Sequence, residues 1–126
     1  MPLDIYLSET ADVAAATASD LRLSLEDDGV LTCIQQFAGP SIDPYGSAAV
    51  DLASLTELQA ALGRARAHFQ SGPEQLNVWL GTEVKPQHRE LYESVSRVRV
   101  LAAIVALEAL LAEALATGQF LVLSGD

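Results

Sequence analysis

The sequence predicts an α+β fold: a single small domain with a sheet of four to five short, mostly antiparallel strands and two main helices on one face. Three observations predict it. Runs of strict apolar–polar alternation are short and separated by Gly, Pro and Asp turn residues. Two longer stretches carry helix start and stop signals. The 126 residues are 50% apolar, enough for one core, so residues 1–126 form one domain.

Leu3–Leu7 alternates and predicts the first strand. Glu9–Ala18 is Ala-rich and suits a helical turn or two. Leu21, Leu23 and Leu25 alternate with Arg22, Ser24 and Glu26, a half-buried strand pattern. Ala14, Ala18, Leu21 and Leu25 also fit one helical face, so residues 9–26 read either as helix plus strand or as one helix. Asp27-Asp28-Gly29 has turn chemistry, and the β-rich run Val30–Phe37 then completes a hairpin. Residues 38–50 are punctuated by Pro and Gly. Asp43-Pro44-Tyr45-Gly46 forms a turn, with Ile42 and Tyr45 on a short edge strand.

Ser54-Leu55-Thr56-Glu57 is a capping box that opens a helix, because Ser and Glu satisfy the first orphan amides reciprocally. Leu55, Leu58, Leu62, Ala65 and Phe69 share its apolar face, and Gly72-Pro73 ends it. Leu76, Val78 and Leu80 alternate with Asn77 and Trp79 as a strand, and Gly81 and Lys85-Pro86 bound a loop over 81–94. A long helix starts at Pro86 or at Ser96, with its firm part at Ser96–Thr117 and its stop at Gly118. Phe120–Leu123 is a last strand. The long helix is apolar nearly all round, whereas a surface helix shows one stripe. It is therefore either central or covered by a second copy, which raises a homodimer built on 96–117.

Charge divides the chain into an acidic strand-and-loop half, 1–53, and a helical half, 54–126. Residues 1–63 carry ten acids and one base; residues 64–126 carry seven acids and six bases. The net charge of −10 thus resides almost wholly in the first half. Such a field repels nucleic acid and anionic membrane, and it attracts a basic protein partner. A single cysteine excludes an internal disulfide and fits a reducing cytoplasm. The N-terminus lacks the pattern of a signal peptide, and the longest apolar run, Val100–Leu107, is short of the ~20 residues of a membrane span. The expected location is cytoplasmic, with no membrane contact.

No catalytic, cofactor-binding or metal-binding motif is present, so no cofactor is expected and the chain reads as a non-enzyme. Cys33 lies in an apolar run and reads as buried packing. His68 and His88 lack zinc-ligand spacing. Glu83, His88 and Glu90 in the 81–94 loop are the candidates for an enzymatic or ligand-binding alternative. Partner-binding candidates are Glu26, Asp27, Asp28, Asp43 and Asp51, which form one negative patch if they share an end of the sheet. Tyr45 and Trp79 join them as aromatic anchors, and Tyr92 is a further aromatic candidate.

Three segments, Ile42-Asp43-Pro44-Tyr45-Gly46, Asn77-Val78-Trp79-Leu80-Gly81-Thr82-Glu83 and Ser94-Val95-Ser96-Arg97, carry a resemblance. With the element order from residue 20 onward, they make the chain similar to small bacterial immunity proteins of polymorphic toxins. That resemblance implies an acidic cytosolic inhibitor that blocks a basic toxin. It assigns no individual residue a role.

Overall fold

Period-two burial begins at strand β1 (Leu3–Ser8), which buries Leu3, Ile5 and Leu7 on one face and turns Asp4, Tyr6 and Ser8 to the other. The structure, a computed structural model, describes residues 3–39, 42, 46–83 and 89–125. Strand β1 is internal to a four-stranded sheet. Its neighbours are β2 (Leu23–Leu25) and β6 (Phe120–Gly125), and β3 (Ser47–Val50) lies beyond β6; every pairing is antiparallel. Leu3 meets Leu25 and Gly125, while Leu7 meets Leu121, which in turn meets Val50. One face of this sheet, with Leu3, Ile5, Leu7, Leu25, Val50, Leu121 and Leu123, belongs to the main core. On the opposite face Val122 is buried, as is Ala16 of the short α1 (Val13–Ala16). Residues 9–26 are thus a helical turn plus a strand, the Asp12 carboxylate accepting from the Ala14 and Ala15 amides.

The run read as a second hairpin strand is a helix. Helix α2 (Asp28–Ala38) contains the whole of Val30–Phe37, and Asp27 is its N-cap rather than a turn residue. The Asp27 carboxylate accepts from the Gly29 and Val30 amides at 3.0 and 3.2 Å. Val30, Leu31, Cys33, Ile34 and Ala38 recur at helical spacing and are all buried. A strand would divide those residues between two faces, but the core offers them only one side. This choice outweighs the β propensity of Val, Thr and Ile. At Gly29 the first turn presses on the second sheet: an added Cβ would lie 2.4 Å from Val95 Cγ2. Only glycine allows that approach.

Helix α3 (Leu52–Gln70) starts one residue after Asp51, earlier than the Ser54 cap expected from the capping box. Asp51 accepts from the Ser54 amide at 2.9 Å, and Leu55, Leu58, Leu62, Ala65 and Phe69 are buried as the spacing predicted. Strands β4 (Gln75–Glu83) and β5 (Arg89–Ser96) then form a separate two-stranded ribbon. Residues 81–83 and 89–94, expected as loop or as early helix, are therefore strand. Leu76 and Val95 pair at the ribbon's base, and both pack against the core. A bulge between Trp79 and Gly81 shifts the register, with Gly81 at φ 149°, where side-chain-bearing residues are strained.

Helix α4 (Arg97–Thr117) starts after Ser96 and stops at left-handed Gly118 (φ 70°). It touches α2, α3, β2, β5 and β6. Val100, Ile104, Leu107, Leu111 and Ala114 are fully buried along its inner side. By length and composition alone it is long and apolar enough to cross a membrane; 33% of its most apolar window is buried within the fold.

Candidate functional site

The sheet register decides where the acidic residues go. Residues 26–28 follow the end of β2, at the edge and end where Leu3 begins β1. Asp51 follows β3, at the opposite edge and, through Val50–Leu121–Leu7, at the opposite end. Asp27 and Asp51 thus occupy diagonal corners, and the single patch uniting them does not form. Asp43 and Tyr45 lie outside the described residues.

At the first corner, Glu26, Asp27, Asp28 and Glu93 of β5 surround Arg99 of α4 in an open depression of about 390 Å³. Four carboxylates and one guanidinium leave it negative. Asp27 has a double duty there: it caps α2 and pairs with Arg99. Glu26 and Asp28 are exposed at its rim. A second, more apolar depression of about 340 Å³ adjoins it, lined in part by Leu25, Val30, Ala102 and Ala103. Cys33 of α2 is 3% exposed. Burial, aided by the Glu93 carboxylate, pushes its thiol pKa up, which disfavours the nucleophilic thiolate.

At the other corner, Asp51, Leu52 and Ala53 meet Gly118, Gln119 and Phe120 around an apolar hollow of about 340 Å³. Hydrogen bonds from the Ser54 amide and hydroxyl hold the Asp51 carboxyl below its usual pKa. Asp51 is engaged locally as a helix cap.

The aromatic candidates belong to the ribbon. Trp79 and Tyr92 face each other across the β4–β5 pair and are 52% and 58% exposed. The Trp79 indole N–H donates to the Glu90 carboxylate. Leu80, in the bulge, and Leu91 are exposed nearby. Among the described residues of the ribbon, Leu76, Val78 and Val95 pack in or against the core, whereas Trp79, Leu80, Leu91 and Tyr92 are exposed.

Glu93 and Arg99 were not among the sequence candidates for the acidic corner, nor Leu80 and Leu91 for the ribbon, whereas Tyr92 was already an aromatic candidate. The alternation of Leu91, Glu93 and Val95 is the signal that would have revealed β5 and placed Glu93 with Val95 on the α2 side. His68 packs its ring against Phe37 and Phe69, at centroid distances of 5.3 and 5.0 Å. Among the described residues no group of three or more His, Cys, Asp or Glu side chains is arranged to hold a metal. Glu90 accepts from Trp79; His88 lies outside the described residues.

Comparison with known proteins gives no significant match to a family model, a curated protein or a solved structure.

Proposed function

We propose that this chain is a non-enzymatic protein-binding domain that captures a basic protein, in its most concrete form a cytoplasmic inhibitor of the immunity type. The observation that carries the reading is the ribbon with Trp79, Leu80, Leu91 and Tyr92 in solvent beside an acidic corner. Large aromatic side chains supply most of the affinity in protein interfaces, because they bury much area for little lost rotamer freedom. Carboxylates at the rim act mainly on encounter: they raise the association rate with a basic surface and lose that effect as salt screens them. Glu26 and Asp28 suit this role by their exposure at the rim; the Asp27 carboxylate holds α2 and Arg99.

The test is capture of a basic protein from the native lysate, followed by binding kinetics with the purified partner. Trp79→Ala with Tyr92→Ala is expected to weaken binding by roughly tenfold or more, mostly in the dissociation rate. Glu26→Lys with Asp28→Lys is expected to slow association and flatten its salt dependence. Binding indifferent to both pairs of changes overturns the reading.

A further inference from the structure

We infer that the outward face of α4 is the seam of an antiparallel homodimer, with a second copy of α4 as its occupant. The outward positions are Val98, Ala102, Val105, Ala109, Ala112 and Ala116, every one exposed, with Val98 at 71% and Val105 at 56%. Their spacing alternates four and three residues, the repeat that keeps one seam facing a partner helix. The buried residues of the same helix lie on its other side. A helix covered only by water carries charged residues on such a face.

Three features select a second copy in antiparallel orientation. The spacing is identical read from either end, so a two-fold axis places Val98 on Ala116, Ala102 on Ala112 and Val105 on Ala109 of the second copy. Each valine then meets an alanine, which lets the helices approach closely. Charge agrees with this orientation. Arg99 and Glu113 lie on the same flank of the seam, ion-paired within the chain to Asp27 and Arg22 respectively, and the two-fold brings one such pair beside the other across the seam. A parallel pair would instead bring Glu108 toward the second copy's Glu113. In the antiparallel pair Glu108 lies near the axis, where Arg66 of its own chain, at 3.1 Å, already offsets its charge. The surface is self-complementary, as an interface on a two-fold axis requires.

The experiment is sedimentation velocity of the full chain across the micromolar range, followed by cysteine cross-linking. The expected result is a species of twice the 13.4 kDa chain mass. Val105→Glu, and separately Val98→Glu, should abolish that species while leaving the far-UV circular dichroism unchanged, since both side chains are solvent-exposed. Under oxidation, Val98→Cys chains mixed with Ala116→Cys chains should form the mixed disulfide dimer; the native Cys33 is buried. A monomer at every concentration overturns the inference, as does a dimer that survives both glutamate variants. Val98→Cys chains cross-linking to themselves would overturn the antiparallel orientation. Co-sedimentation of the chain with phosphatidylcholine vesicles, lost in Val105→Glu, would assign the face to lipid instead.

Discussion

The two long helices differ most on the sides turned away from the core. Helix α3 has 19 residues and α4 has 21, and each buries six residues inward. Outward, α3 presents Glu57, Gln59, Arg64, Arg66 and Gln70, a face made for water. Outward, α4 presents only valine and alanine on its central line, with Arg99, Glu108 and Glu113 along its flanks. The starts differ too. Asp51 caps α3 through its side chain, whereas Ser96 makes no side-chain cap bond to α4. Helix α3 thus has local supports of its own, and α4 is held by packing along its inner side. Equal inward burial goes with unequal outward chemistry: both helices build the fold, and α4 leaves an uncharged apolar line exposed.

The comparison breaks most readily on the inner faces. Leu62→Ala in α3 and Leu107→Ala in α4, both at fully buried positions, should each cost about 2–5 kcal/mol by chemical denaturation. A mild loss for Leu107→Ala alone would mean that α4 is not a core helix. The caps offer a smaller contrast. Asp51→Ala should lower Tm measurably and Ser96→Ala hardly at all, because only the first side chain accepts an amide bond. The Asp51 carboxyl is held below its ordinary pKa in the folded chain. Its contribution is therefore complete above the ordinary carboxylate range and disappears as pH falls through the folded value. The Tm difference between wild type and Asp51→Ala should narrow on acidification; a difference that widens would contradict the capping role. Smallest is the link between the helices. Arg66→Ala, which removes the partly exposed pair with Glu108, should cost about 1 kcal/mol.

How legible each region was follows from the range of the interactions that shape it. Helix α4 starts after Ser96, one of the two starts the sequence offered, and stops at Gly118, whose left-handed backbone sets that end locally; Ser96 makes no side-chain cap bond. The inner face of α3 was equally legible from the spacing of Leu55, Leu58, Leu62, Ala65 and Phe69. Helix α2 was misread because Val30, Thr32 and Ile34 favour strands, while the decisive facts are the Asp27 cap and the one-sided core. In the candidate site, Trp79 was legible as an exposed aromatic on a strand. Its partners Tyr92 and Glu90 required the β4–β5 register, which a bulge shifts.

The sequence by itself determined the α+β class, the inner face of α3, the firm part of α4 and the acidity of the first half. Each depends on composition or on neighbours a few residues apart. Only the tertiary structure decided that Asp27 and Asp51 stand at diagonal corners, that Glu93 and Arg99 complete the acidic corner, and that the unburied side of α4 is a continuous apolar line. Those outcomes depend on strand order and helix packing, which join residues far apart in the chain.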